Sequence, residues 1–308
     1  MLSGRRSVLV AWRRMRRRPG TSLAPPAAVA VAVAVALVAA CARAPTCPAR
    51  APVAPGTAAP WLWRVQRADG TGPVLWLFGT VHNAGAAEVA PAAWDALRRA
   101  PRFVSELGEL EPDPDQLRAL ARLPRGKGLD QLLGDDHWWD LRDTLRDVIR
   151  EDDLRRARPW YAMSLLIRVV APSPRPAMDA ALAERARALH LPIDHLETWE
   201  EQLPQLDAAV GVPDLIEAID ARATMRCELD GNRAAYAAGD TAAVERIFGH
   251  DPSGHLLRPR NQRWLIHLER YLADSGAFVA VGVGHLVGDD GLPAMLARAG
   301  YTVARQGP

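Results

Sequence analysis

Two short apolar runs constrain this chain more than anything else in it. Leu75-Trp76-Leu77-Phe78-Gly79-Thr80-Val81-His82 and Phe278-Val279-Ala280-Val281-Gly282-Val283-Gly284-His285 both end in Gly-x-x-His. A run of that length between glycines fits a strand buried on both faces, the habit of a parallel sheet. Each histidine then falls where the strand gives way to a loop. Open α/β sheets bind ligands just beyond the carboxyl ends of their strands. Glycine three residues before each histidine, Gly79 and Gly282, lets backbone approach a ligand or turn tightly. The residues alone leave His82 and His285 two roles: ligands, or polar groups that merely cap strands and donate to carbonyls.

The flanking segments extend the pattern. Trp61 to Gln66 alternate large apolar and polar groups before Asp69-Gly70, which predicts a hairpin with 74–81 as its inner strand. Pro91 opens a helix through Arg99, and Arg102 to Leu107 form the next strand. This predicts a right-handed βαβ unit, with Glu106 ending the strand beside that of His82. Glu106 reads as a metal ligand, a general base or a solvated strand-end acid. The second run repeats the design: strand 278–283, loop, helix 292–299, Gly300 as helix terminator and strand Tyr301-Thr302-Val303. Between the copies, 116–170 and 212–248 have helical spacing. A helix is expected over 177–189, a strand over 191–197, and a helix from Trp199 capped by Thr198. Structural roles are assigned to His195 and Glu197, and packing to His137 beside Trp138 and Trp139. Arg260 and Arg263 open another helix. The helix dipole disfavours arginine there, so Arg260 calls for an anionic partner unless it is simply solvated. The expected fold is α/β, a central mixed or mostly parallel sheet with two β-GxxH-α-β units and a helical middle segment.

The net charge of +2 conceals an asymmetry. Residues 1–40 hold seven arginines and no acid, which leaves −5 for the rest. No basic face for nucleic acid survives. Arg13 to Arg18 form a positive start, and Ala27 to Ala40 an Ala/Val/Leu stretch too short to span a bilayer comfortably. Val38-Ala39-Ala40-Cys41 has the form of a lipobox, so Cys41 is the expected lipidation site. Plain secretion and an uncleaved anchor are the alternatives. Residues 41–60, rich in Ala and Pro, form the expected tether. The division is a lipoprotein-type signal peptide over 1–40, the tether over 41–60 and an α/β domain over 61–308. The domain would then sit in the cell envelope, as a periplasm-facing lipoprotein or a secreted protein. Cys47 and Cys227 could pair in an oxidising compartment or stand as two thiols.

Leu77-Phe78-Gly79-Thr80-Val81-His82, Val104-Ser105-Glu106-Leu107, Arg260-Asn261-Gln262-Arg263-Trp264 and Val281 to Gly288 with Asp290-Gly291 resemble the TraB/GumN family. Pro159-Trp160, Leu196-Glu197-Thr198 and Glu201-Gln202 resemble it too. The resemblance spans about residues 61–305 in order, and Pro259 is the one departure from the pattern. It implies an α/β domain like those of Tiki proteases, haem-binding ChaN and the erythromycin esterases. By position it implies His82, His285 and Glu106 as ligands of a divalent metal (Mn, Co or Zn), with Glu106 also a candidate base. It implies Arg260 as a charge stabiliser and Gly79, Gly282 and Asn261 in the substrate loop. A metal-dependent peptidase or amidase acting on a peptide or small envelope substrate follows, held at the membrane by its lipid. No HExxH, GxSxG or P-loop offers another chemistry. The rival is a non-catalytic lipoprotein that binds a peptide, haem or a polysaccharide fragment, with Tyr161 and Tyr301 as candidate haem contacts.

Overall fold

The computed structural model describes Cys47, residues 60–108 and residues 114–307. The signal peptide, Cys41 and most of the tether lie outside the described residues. Six strands form one sheet: β1 (Leu62–Arg67), β2 (Leu75–Thr80), β3 (Phe103–Leu107), β4 (Ile193–Glu197), β5 (Ala277–Gly282) and β6 (Tyr301–Arg305), in the order β4-β3-β5-β2-β1-β6. β5 pairs in parallel with β2 and β3, and β3 with β4. β1 is antiparallel to both of its neighbours. The sheet is therefore mostly parallel, as expected.

One expectation is corrected. Glu106 does not end the strand next to that of His82, because β5 inserts between β2 and β3. The reason lies in side chains. Ala277-Phe278-Val279-Ala280-Val281 is buried throughout, so it fits where both faces and both edges are covered. The consequence is larger than the correction: the two Gly-x-x-His strands lie side by side, with Gly79 opposite Val281 and Thr80 opposite Gly282. Phe278 stacks against Phe103 and packs against Phe78, centroids 6.2 and 5.9 Å apart. Burying each ring is worth about 1.5–3 kcal/mol. This cluster bonds the three central strands through their side chains.

The two motifs also pack on each other. A Cβ at Gly79 would lie 2.9 Å from Cγ2 of Val283, and one at Gly284 would meet the Phe248 carbonyl oxygen. Glycine at these two positions permits the close approach of the loops.

The helical middle forms a second core around Leu129, Trp138, Leu141, Leu145, Leu165, Leu166, Leu215 and Ile219. Met163 and Val170 pack against it. His137 Nε2 lies 3.4 Å from Asp220 at its edge. The Arg222–Ala237 helix braces the first motif. Its Tyr236 hydroxyl donates to the Gly79 carbonyl at 2.6 Å, and its Leu229 carbonyl accepts from Asn83 Nδ2 at 2.7 Å. Cys227 on the same helix is disulfide-bonded to Cys47, 180 residues away, with Cα atoms 5.1 Å apart. The two thiols are thus one bond, and the start of the described chain is pinned to the brace. Among the described residues no helix is long and apolar enough to cross a membrane.

Candidate functional site

The carboxyl ends of β4, β3, β5 and β2 reach the same edge, because their register is nearly level. They deliver Glu197, Glu106, the Gly282 amide and His82 to it. The Arg258–Asp274 helix adds Arg260 and Asn261, with Pro259 in its first turn, where a missing N–H costs nothing. A short 3₁₀ turn, Val283–Leu286, adds His285. Facing them are residues of the helical middle, among them Trp160, Tyr161 and Arg168. A cleft of about 1550 Å³ lies between, lined by His82, Glu106, Arg260 and His285 together.

Arg260 is the hub of this edge. It is 5% exposed, and its five N–H groups are all engaged. Nε donates to Glu197 at 3.0 Å, Nη1 to the Leu256 carbonyl and to His285 Nε2, both at 3.1 Å, and Nη2 to Glu106 and Glu197. The anionic partner that its helix-start position demanded is thus a pair of carboxylates. Full engagement leaves no N–H free to receive a developing oxyanion. As arranged, Arg260 is engaged with Glu106, Glu197, Leu256 and His285.

The tautomer of His285 follows by elimination. Asn261 Nδ2 donates to the carbonyls of His285 and Asp290 at 3.3 and 2.8 Å, so Asn261 Oδ1 must face His285 Nδ1, 2.7 Å away. An amide oxygen only accepts, so Nδ1 carries the proton. Nε2 is then the acceptor, as its guanidinium partner requires. Burial disfavours the imidazolium and pushes His285 down to about 3. It is a neutral ring stacked near Trp264, centroids 4.4 Å apart.

The two glutamates diverge although they share Arg260. Burial opposes the charge on Glu106, but Arg260 and the Gly282 amide at 2.8 Å hold its carboxyl down to about 2. Glu197 moves up, because burial outweighs Arg260 and the neighbouring charge of Glu106 adds to the rise. Arg263 adds a second cation, 3.6 Å from Glu197.

His82 is the opposite of His285. It projects into the open cleft, with 84% of its side chain accessible. Nδ1 is 3.2 Å from Asp179 Oδ2, while Asp179 Oδ1 accepts from Thr80 Oγ1 at 2.6 Å. The hydrogen bond and charge of Asp179 raise the imidazole above its ordinary value. Water in the cleft screens part of that effect.

The expected residues thus fall in several places. His82, Glu106, Arg260, His285 and Gly282 line the cleft. Asn261 lies behind His285. Gly79 lies in β2 under Val283, so its role is packing and a carbonyl for Tyr236. Cys41 is outside the described residues. Tyr161 lines the cleft, whereas Tyr301 belongs to β6, the strand at the sheet's opposite edge from β4. His195 is exposed on β4. Glu197, given a structural role from sequence, touches Arg260 directly. Asp179 was missed: it lies on the Met178–Ala188 helix, 97 residues from its partner, with no local motif to mark it. Gln202, in a segment the resemblance covered, lies 3.5 Å from Glu106.

A divalent cation at His82, Glu106 and His285 has chemistry in its favour. Each ring has its outer nitrogen held, by Asp179 and Asn261, as metal-bound histidines do. The inner position does not fit: His285 Nε2 already accepts from Arg260, and a guanidinium cannot share that seat with a cation. Among the described residues no three His, Cys, Asp or Glu side chains are grouped to hold an ion. As arranged, these residues do not form a ready ion site.

No curated relative and no solved structure matches the chain. The TraB/PrgY/gumN family model matches residues 61–305, the whole span that carries both strands, both histidines and the charged cluster between them, and the chain belongs to that family.

Proposed function

We propose that this protein hydrolyses amide bonds in peptides or small polymer fragments of the cell envelope. One observation carries the reading: His82, backed by Asp179 and Thr80, offers its remaining nitrogen to a cleft that it lines together with an ordered charged cluster on the same sheet edge. Asp179 selects the Nδ1–H tautomer and stabilises the imidazolium formed when Nε2 takes a proton from water. The same ring then returns the proton to the leaving amine. Arg260 keeps Glu106 ionised and His285 neutral, which fixes the field at the reacting end. Gln202, whose amide donates to Glu106, lies at the same end. A volume of about 1550 Å³ exceeds the usual pocket for a small metabolite, roughly 300–1,000 Å³, and suits an extended chain.

A second reading, metal-assisted hydrolysis, is favoured by the held outer nitrogens of both histidines. It requires His285 to be released from Arg260, and Mn²⁺, Co²⁺ or Zn²⁺ would then supply an acidified water. The cell-envelope setting and the Cys41 lipid anchor rest on the N-terminal sequence.

The test is incubation of the purified full chain with a mixed peptide library, with chelator and with each of the three ions. The first reading expects cleavage that persists in chelator and falls at least 100-fold in His82→Ala. Cleavage only with an ion selects the second. Binding of a peptide or of haem without cleavage would replace both with a carrier role.

A further inference from the structure

A second cavity, of about 300 Å³, opens beside the reacting end. Its mouth is formed by His82, Glu106, Asp179 and Gln202, residues already placed in or against the main cleft. Its interior is different. Phe103, Ala280, Ala177, Ala180 and Leu107 line it, and Trp199 forms a further wall. The hydroxyl in the wall, Ser105 Oγ, is occupied, donating to the Leu107 carbonyl at 2.8 Å. The acids at the mouth are also occupied. Glu106 is bound by Arg260 and the Gly282 amide, and Asp179 by Thr80 and His82. A charged side chain passing the mouth would leave His82 Nε2 and the Gln202 amide behind, lose water and meet apolar groups inside. An apolar one would lose only water contact, which favours entry. The volume sits at the lower limit for a whole ligand, roughly 300 Å³, and suits one side chain better.

We propose that this cavity is a subsite that selects an uncharged apolar side chain, of leucine or phenylalanine size, next to the bond presented to His82. It rests on the hydrolase reading for the word "bond" and on the cavity alone for the selectivity. Ala180 is the selecting residue. It is half-buried on the Met178–Ala188 helix, and no other interaction in the site depends on its methyl. A larger residue there fills the subsite.

The test uses the full chain and four probes, the N-acetyl amides of leucine, alanine, aspartate and lysine, with binding read by calorimetry or saturation-transfer NMR. Leucine should bind at least tenfold more tightly than alanine, since each buried methylene is worth about fourfold. Aspartate and lysine should bind no better than alanine. In Ala180→Phe the leucine preference should vanish with the circular dichroism spectrum unchanged. Ala180→Val, a smaller intrusion, should reduce it partway and covers the case in which phenylalanine disturbs the fold. Equal binding of all four amides, tighter binding of lysine or aspartate, or an intact preference in both variants would overturn the subsite. The same panel built into peptides separates the two claims: leucine-selective binding without cleavage of any peptide removes the hydrolase reading and leaves the subsite standing.

Discussion

The two Gly-x-x-His motifs begin alike and end as chemical opposites. Their strands are neighbours in register, and the glycine of the first makes room for Val283 of the second. Yet His285 is 3% exposed, neutral and clamped between Asn261 and Arg260, while His82 faces open cleft with a carboxylate behind it. Burial pushes the first ring down, and Asp179 pushes the second up. The lesson is that the motif delivers a histidine to the carboxyl edge of a parallel sheet, and the partner arriving from elsewhere sets its protonation. One ring is thereby fitted to order its surroundings, the other to exchange protons.

The comparison breaks most severely at Arg260. Arg260→Met strips Glu106 of its cation, leaves Glu197 only Arg263 at 3.6 Å, and frees Nε2 of His285. Breaking a buried ion pair costs about 3–5 kcal/mol, to be read as a fall in the denaturation midpoint. Adding Glu197→Gln should recover part of that loss, since it removes one of the stranded charges. No loss in Arg260→Met would mean that the cluster is solvated.

The brace under the first motif comes next. Cys227→Ser opens a bond that closes 180 residues of chain. The expected cost is about 2–4 kcal/mol. Hydrogen exchange should quicken in the Arg222–Ala237 helix and around Asn83, on the His82 side, with little change at His285. Equal loosening of both motifs would erase the asymmetry.

The smallest effect sharpens the comparison most. In the native protein the His82 imidazolium is favoured by Asp179, so its titration lies above the ordinary 6.5. The base form, and activity on the hydrolase reading, then rises as pH climbs through that raised value. Asp179→Asn should lower the titration toward 6.5 and shift the acid limb of the activity profile in the same direction, while His285 stays unprotonated throughout. NMR of the two rings checks both at once. An unmoved His82 titration would assign its environment to something other than Asp179.

How much of this was legible in the chain depends on sequence distance. Strands, the Thr198 cap, the helix terminator at Gly300 and the start of the Arg258–Asp274 helix follow from residues within a few positions of one another. So did the demand that Arg260 find an anion, because a helix dipole acts within one turn. What was misjudged sits across the fold. Glu197 was given a structural role, and its place beside Arg260 showed only once β4 was set beside β3. Asp179 carried no mark, since an acid in the first turn of a helix is commonplace. The order of β2, β5 and β3 was misread because adjacency in sequence is a guide to adjacency in a sheet and not a rule.

By itself, then, the sequence determined that two histidines would stand at strand ends and that an arginine at a helix start called for an anionic partner unless it was solvated. Periodicity, glycine and the helix dipole are local, and they act wherever the chain goes. Only the tertiary structure decided which histidine would be held neutral by burial and which would have its imidazolium favoured by a carboxylate, and that both outer nitrogens would be held. It also decided that Arg260 would spend every N–H on neighbours. Those outcomes depend on desolvation and on contacts between residues tens to hundreds of positions apart, and no local pattern encodes either.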